Sequence, residues 1–392
     1  MARNPIKDQI AIVGIGSTGF SRDAGGRSRE SLIAEACINA IKDAGVTKAD
    51  IDGVCGTNPA AAQVVSMLGL PEVTYYVNQP PPLGFSIVDA MNAVYSGSCD
   101  VALVYHGVYR SPAVSRSAAA DPFRRKLGFG GVPLGARLRV DPESVEGSVG
   151  YTAWASRYMS EYDVKREHLG YVAVNDRTNA MRNPLAAMRD PLTMEDYLAA
   201  RMIRDPLCLL DMDIPVDGAD AFILTTAERA RDLTDRPVLI HAATTGTIAK
   251  NAEDQTPGLH QHGQHVVIKN LREKSDLWLS DVDVYYPYDG FSFITLSWIE
   301  NAGWCGPGEG GAFLESNWDK ETNRVMIDGR IPVNTHGGAL SEGGTQGSGH
   351  IREAVTQLRG DAGERQAPDA RTALLTPGGF FFNAQGLILR RD

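Results

Sequence analysis

The chain alternates between two hydrophobic periods. A near-continuous apolar run, QIAIVGIG (9–16), is bounded by glycine, and from about Glu30 to Asp43 the apolar residues return as Leu32, Ile33, Ala36, Cys37, Ala40 and Ile41, one face of a helix. Gly45 closes that helix, and VTKADIDGVCGT leads into the next strand. VTYYVN (73–78), a helical stretch GFSIVDAMNAVYSG and the strand VALVYHG (101–107) repeat the alternation. Continuous strands with helical crossovers predict an α/β fold whose sheet is largely parallel and covered on both faces.

Residues 108 to about 215 break this rhythm with Arg/Ser/Pro-rich stretches, a Gly128-Phe129-Gly130-Gly131 step and short helical pieces such as SVGYTAWASRYMSEYD. Such an excursion far exceeds an ordinary connection and predicts a folded insertion or lid that shapes a pocket. AFILTTAE (221–228) returns to strand, and the pattern then begins again. RPVLIHAATTG (236–246) matches the opening strand, and WLSDVDVYYPYDGF matches VTKADIDGVCGTN through a shared Asp-hydrophobic-Asp step. A helix from about Ile351 to Leu358, then TALLTPGGFFF and LILRRD, close the second unit. A period of about 230 residues is too long for a solenoid and predicts two similar α/β halves, 1–230 and 231–392.

Composition narrows the classes. The 392 residues are 43% hydrophobic and 22% charged, with no apolar run near the ~20 residues of a membrane span, and the polar N-terminus carries no signal-peptide pattern, so a cytoplasmic protein is expected. A net charge of −10 without a Lys/Arg cluster argues against nucleic-acid or anionic-membrane binding. Five cysteines without a CxxC pair read as small buried hydrophobes.

Several motifs carry competing readings. Gly14-Ile15-Gly16-Ser17-Thr18-Gly19 fits GxGxxG, but about ten polar residues separate it from the helix whose amides would meet a pyrophosphate, so a glycine-rich strand exit is the better reading. His260, His262 and His265 form HxHxxH in a polar loop without a completing carboxylate or cysteine, and no metal is expected there. There is no GxSxG elbow. NQPPPLGFS (78–86) places three prolines at the mouth of a helix, removing three backbone donors. The loops YYPYDGF (285–291), NTHGGALSEGGTQGSGH (334–350) and TPGGFFFNAQG (376–386) each border a strand, where an open α/β sheet carries its site. The bland alternative is tight turns and packed tyrosines.

In this order, on a duplicated α/β frame, these loops resemble the thiolase superfamily and, within it, the sterol-carrier-protein thiolase group, over nearly the full length. The resemblance implies a five-layer α/β/α/β/α architecture. It aligns the thiolase Asn-x-x-Cys-x-x-Gly entrance with Asn78 to Gly84, the His-Asp-x-Phe loop with Tyr288 to Phe291, and the Asn-x-x-Gly-Gly loop with Asn334 to Thr345. The nucleophilic cysteine then falls on Pro81, the two loop histidines on Tyr288 and Gly344, and the C-terminal cysteine near Thr376. An acyl-enzyme needs a thiolate, a base and oxyanion donors, and none of them stands at these positions.

The altered pattern is similar to lipid-transfer-type steroid side-chain aldolases, which use Tyr-Asp-x-Phe and lack the cysteine. That resemblance implies retro-aldol cleavage of a β-hydroxyacyl-CoA to a ketone and a short acyl-CoA such as propionyl-CoA or acetyl-CoA. It also implies a homodimer and a small partner with an OB-fold and zinc ribbon, any zinc residing in that partner and CoA entering as part of the substrate. Those aldolases usually carry a second tyrosine where this chain has Gly344. Tyr288 is the first acid/base candidate, Asp289 an orienting group, His336 a second candidate able to assume the role vacant at Gly344, and His350 a weaker one. Pro81, Gly344 and Phe291 are expected to line the substrate. A non-catalytic acyl-CoA or lipid carrier, or a degenerate subunit active only in a complex, remain as other readings.

Overall fold

The computed structural model describes residues 4–111, 148–250, 258–379 and 383–392. The first half contributes β1 (Ile10–Ser21), α1 (Arg29–Asp43), β2 (Gly53–Gly56), α2 (Ala61–Leu68), β3 (Tyr75–Asn78), α3 (Gly84–Tyr95) and β4 (Val101–Tyr109). The insertion supplies α4 (Ser148–Tyr162), α5 (Arg166–Ala180), α6 (Met194–Ala199) and a ribbon of β5 (Met202–Arg204) with β6 (Leu207–Cys208), before β7 (Asp217–Thr226) and α7 (Ala227–Leu233). The second half holds β8 (Val238–Gly246), α8 (Gly263–Lys274), β9 (Val284–Pro287), α9 (Ser292–Ala302) and α10 (Gly310–Ser316). A small sheet of β10 (Trp318–Asp319), β11 (Arg324–Ile327) and β12 (Ile331–Pro332) follows, then α11 (Ser348–Arg359), β13 (Thr372–Thr376) and β14 (Ala384–Arg391).

The nine-stranded sheet runs β3-β2-β4-β7-β1-β8-β14-β13-β9. This order is a mirror about the seam between β1 and β8: outward from it come β7, β4 and β2 on one side and β14, β13 and β9 on the other. Beyond β9, Val333 bridges Tyr285 in parallel, the place that β3 holds beside β2. The duplication read from the sequence is therefore a pseudo-two-fold in space.

The repeated Asp-hydrophobic-Asp step has a defined task in both halves. Asp52 accepts the Asp100 amide at 2.9 Å and the Val101 amide at 2.8 Å, fixing the start of β4 beside β2. Asp283 does the same for β13 through the amides of Arg371 (2.8 Å) and Thr372 (2.9 Å). The preceding aspartates, Asp50 and Asp281, each close a short turn by accepting an amide three residues back.

Side chains of each strand alternate between two apolar layers. Ala11 and Val13 meet α1 and α2, through Ile33, Ala36, Ala40 and Val64 on one outer face. Ile10 and Ile12 instead meet α3 and α11, through Ile87, Met91, Ile351 and Val355 in a middle layer that also takes Tyr286 and Leu387. Tyr285 and Ile388 point to the opposite outer face, where α8, α9 and the insertion helices pack around Val267, Leu271 and Trp298. The result is the α/β/α/β/α stack.

One expectation is corrected. Among the described strands of the nine-stranded sheet, β2 with β3 and β4, and β9 with β13, pair in parallel, whereas β4–β7, β7–β1, β1–β8, β8–β14 and β14–β13 are antiparallel. The strands read as continuous apolar runs because helices bury both faces, a condition that does not depend on strand direction. Gly128 to Gly131 lie outside the described residues, and the insertion helices pack against the second half. Among the described residues no helix is long and apolar enough to cross a membrane.

The GxGxxG stretch lies inside β1, not before a helix start. A Cβ at Gly14 would overlap the Ala40 carbonyl of α1, and one at Gly16 the Ala36 carbonyl, so these glycines let helix and strand touch backbone to backbone. We predict that Gly16→Val lowers unfolding stability by about 1–3 kcal/mol, as overpacking of a close contact does. Urea unfolding of the variant against the parent measures this, and an unchanged midpoint would contradict the close-packing role.

Candidate active site

The loop after β9 and the loop after β12 meet at one carboxylate. Asp289 is buried; its Oδ1 accepts the Ala339 amide at 2.8 Å and its Oδ2 the Leu340 amide at 2.9 Å. His350, in the first turn of α11, places Nε2 2.9 Å from the same Oδ1. The receiving segment, Gly338–Glu342, is a single π-type turn, an irregularity that aims amides sideways. Gly338 has φ +58, and a Cβ there would overlap the Asp289 carboxylate, so the turn accepts only glycine at this point.

A second carboxyl stands against the first. Asp176 of α5 is fully buried, receives the Asn175 amide group at 2.9 Å and shares a hydrogen bond with Asp289. Burial and then the adjacent Asp289 charge push Asp176 well above the usual carboxylate range. Burial also acts upward on Asp289, but its hydrogen bonds with His350 and Asp176 and the Ala339 amide outweigh that and leave it below its ordinary value. One proton is therefore held between the two carboxyls, with Asp176 as its carrier.

Three rings cluster above this pair. Tyr288 lies 5.7 Å from His350, centroid to centroid, and His350 stands edge-on to His336 at 4.6 Å. With its Nε2 proton committed to Asp289, His350 presents a Nδ1 that has no partner among the described residues. Burial, followed by the charges of Asp213 and Asp289, raises the Tyr288 phenol and keeps it protonated, although Arg110 opposes this. His336 is fully buried and neither ring nitrogen is hydrogen-bonded among the described residues; burial and the neighbouring His350 and Arg352 hold it well below its usual pKa, so it is neutral.

Beneath His336 runs a buried ion network. Arg352 bonds the carboxylates of Glu342 and, at 2.8 Å, Asp220; Asn183 donates to Glu342 at 2.7 Å, and Ser348 to Asp220 at 2.6 Å. Glu342 Oε2 is left 4.0 Å from His336 Nε2. Burial, only partly countered by Arg352, pushes Glu342 up to about 7.

The segment 213–214 is laced between the two loops, with the Asp213 amide on the Gly290 carbonyl (3.0 Å) and the Ile214 amide on the Ala339 carbonyl (3.0 Å). Asp213 pairs with Arg110 at 2.6 Å, and Arg110 Nη2 also donates to the Gly344 carbonyl at 2.8 Å. A Cβ at Gly344 would overlap both Arg110 Nη2 and Asp213 Oδ2. The side-chain space at 344 is thus filled by this ion pair.

Phe291 is half-buried and stacks on Tyr151 of α4 at 4.6 Å, so the insertion covers the loop that carries Tyr288. Pro81 is exposed at the entrance of α3. The first free amide there, Leu83, bonds the Gln346 carbonyl at 3.3 Å, and Gln385 donates to Pro82 at 3.2 Å. The Phe85 amide turns back onto the Pro82 carbonyl. Burial raises the cysteines as well, Cys208 to about 11 and Cys99 and Cys305 to about 12.

The structure brings Tyr288, Asp289, His336 and His350 together, with Phe291 and Gly344 on the same loops. His260, His262 and His265 lie apart from these loops, around the start of α8, and face different ways: His262 is bonded to the Leu259 carbonyl at 2.6 Å, His260 faces Glu300 and His265 is exposed. Asp176, Asp213, Glu342 and Arg110 escaped the sequence reading. For Asp176 the signal was faint: VNDRTNA within a helix looks like a solvated face, yet Asn175, Asp176, Arg177 and Asn179 are all buried.

Glu342 carries a pH signature. Its folded pKa, about 7, exceeds the 4.5 of the free side chain, so the folded state binds the extra proton and stability falls as pH rises through that window, levelling above it. We predict that Glu342→Gln removes about 2 kcal/mol of the stability difference between about pH 5 and pH 7.5. Urea unfolding at the two pH values checks it; an undiminished slope would place the titration elsewhere.

Comparison with known proteins agrees with this frame. Residues 259–391 match the family described as thiolase C-terminal domain-like. A 17-hydroxy-3-oxo-4-pregnene-20-carboxyl-CoA lyase of Mycobacterium tuberculosis is 34% identical, over 91% of this chain and 92% of its own. A steroid side-chain-cleaving aldolase of Thermomonospora curvata is 31% identical, over 97% and 98%. Among solved structures, the Ltp2-ChsH2(DUF35) aldolase superposes with a TM-score of 0.82 at 31% identity, over 99% of both chains. An acetyl-CoA acetyltransferase from Syntrophomonas wolfei, 15% identical with a TM-score of 0.66 over 98% of this chain and 99% of its own, shares the fold. Full-length identity of this order, on a frame whose nucleophile position is proline, shows that the chain belongs to the thiolase superfamily, in its group of lipid-transfer-type steroid side-chain aldolases.

Proposed function

We propose that this chain, a carbon–carbon lyase of that group, cleaves a β-hydroxyacyl-CoA borne on a steroid-like ring system into a ring ketone and a short acyl-CoA such as propionyl-CoA or acetyl-CoA. The observation that carries the reading is the Tyr288–His350–Asp289 arrangement, in a chain whose α3 entrance carries three prolines and no cysteine. Retro-aldol cleavage needs a base for the β-hydroxyl proton and an acid for the carbon that inherits the electron pair, and no covalent step.

His350 is suited to be the base. Its Nε2 proton is fixed on Asp289, which leaves the Nδ1 lone pair to draw the hydroxyl proton and sets the carboxylate to stabilise the imidazolium that forms. As the alkoxide collapses to the ketone, the Cα–Cβ bond breaks and its pair passes into the thioester as an enolate. Tyr288, kept protonated by burial, returns a proton to Cα and is reloaded from His350. Asp176 holds a proton against Asp289 and keeps that carboxylate from gathering a second negative neighbour. Pro81, Phe291 and Gly344 border the substrate, and Tyr151 closes over Phe291.

The chemistry requires no cofactor in this chain beyond the CoA of the substrate. The solved aldolase that superposes on this chain is a complex with a DUF35 protein, which supports a small OB-fold, zinc-ribbon partner here as well. Homodimerisation through β3 fits its place at the outer edge of the sheet, where Tyr76 is 61% exposed.

Incubation with β-hydroxyacyl-CoA thioesters, with and without the partner, should release a short acyl-CoA. Tyr288→Phe is expected to abolish cleavage with fold and complex formation intact, and His350→Ala to lower kcat by at least about a hundredfold, the usual range for general acid–base groups. Near-normal turnover in Tyr288→Phe would remove the acid assignment. Full activity in His336→Ala is compatible with a packing role, whereas a loss equal to that of His350→Ala would make His336 a proton carrier.

A further inference from the structure

The cleavage leaves negative charge on the thioester oxygen, and several donors near the loops are already engaged. The α3 entrance has three prolines and a Leu83 amide already bonded to Gln346. The Ala339 and Leu340 amides are taken by Asp289. Arg352 is locked between Glu342 and Asp220 with a side chain only 4% exposed. His336 is held neutral.

Arg110 differs from all of these. Its Nη2 is fixed by Asp213 and the Gly344 carbonyl, but Nε has no acceptor among the described residues, and 38% of the side chain is exposed. Asp213 hangs by its amide from Gly290, two residues beyond Tyr288, so the guanidinium is tied to the loop of the proposed acid, and its charge acts on that phenol. The missing side chain at Gly344 is what admits it. A planar fork with one edge anchored and another unpaired is preorganised for an oxyanion.

We infer that Arg110 is a catalytic residue of the cleavage, its guanidinium receiving the thioester oxygen as that oxygen takes on enolate charge. In the step, the electron pair of the Cα–Cβ bond moves to the thioester C–O, which Arg110 holds by an N–H hydrogen bond, and the proton from Tyr288 then restores the acyl-CoA. Asp213 positions the guanidinium. The inference rests on the retro-aldol reading above.

The test uses the full chain with its partner and two readouts: kcat and KM for cleavage, and exchange of the Cα hydrogens of the short acyl-CoA for deuterium, which requires the enolate but no carbon–carbon cleavage. Arg110→Gln is expected to lower both kcat and exchange by about 10²–10³-fold, as loss of an oxyanion donor does, with KM little changed. Arg110→Lys, which keeps the charge without the fork, recovers part of the loss. Gly344→Ala, whose methyl would displace Nη2 at a backbone conformation open to alanine, reproduces it and carries the comparison should Arg110→Gln fold poorly. Parental kcat and exchange in Arg110→Gln, or a rise in KM alone, overturns the inference while leaving the aldolase reading intact. A parent protein that neither cleaves nor exchanges overturns both.

Discussion

Asp289 is one buried carboxylate to which three separate pieces of chain are fastened: the π-type turn through two amides, α11 through His350, and α5 through Asp176. A lone ion in that position would be expelled or neutralised, because burial of an uncompensated carboxylate is prohibitive. It survives as an anion because its lone pairs are all engaged and because the neighbour that would repel it carries a proton instead. The geometry of the rings follows from that anchor, since both the phenol and the imidazole leave the backbone within a few residues of a group that touches it.

The pseudo-two-fold explains why chemistry sits where it does and why it is lopsided. Asp52 and Asp283 do equal structural work in the two halves, and α3 and α11 lie side by side in the middle layer. Their N-termini are not equivalent. That of α3 opens on prolines and is closed by Gln346 and Gln385, whereas that of α11 begins with Gly347 at φ +86 and carries His350 inward. One copy of a duplicated entrance carries prolines and the other carries His350.

Much of the frame was legible in the sequence because it depends on local periodicity: the apolar runs of β1, β7 and β8, the i, i+3, i+4 face of α1 and the repeated aspartate step are each visible within a dozen residues. Strand direction was not, because burial on both faces erases the alternation that would distinguish an antiparallel sheet. The loops holding Tyr288, Asp289 and His350 announced themselves by glycines beside titratable groups. Arg110 did not, because its partners lie 103 and 234 positions away and nothing local marks a loop arginine as pinned. Asp176 was hidden differently: its helix shows no clear apolar face in sequence, and its polar residues Asn175, Asp176 and Asn179 are turned inward to serve the loops.

The sheet is continuous across its centre through only two residue pairs, Ala11 with Leu239 and Ile12 with Val238. Backbone pairing therefore contributes little to the union of the halves. What joins them is the shared middle layer, where Ile87, Met91, Ile351 and Val355 touch strands of both origins and neither half could cover its inner face alone. Although the chain is built as two copies, loss of either would strip the other of its core, so cooperative melting of one body, not of two domains in series, is the expected outcome.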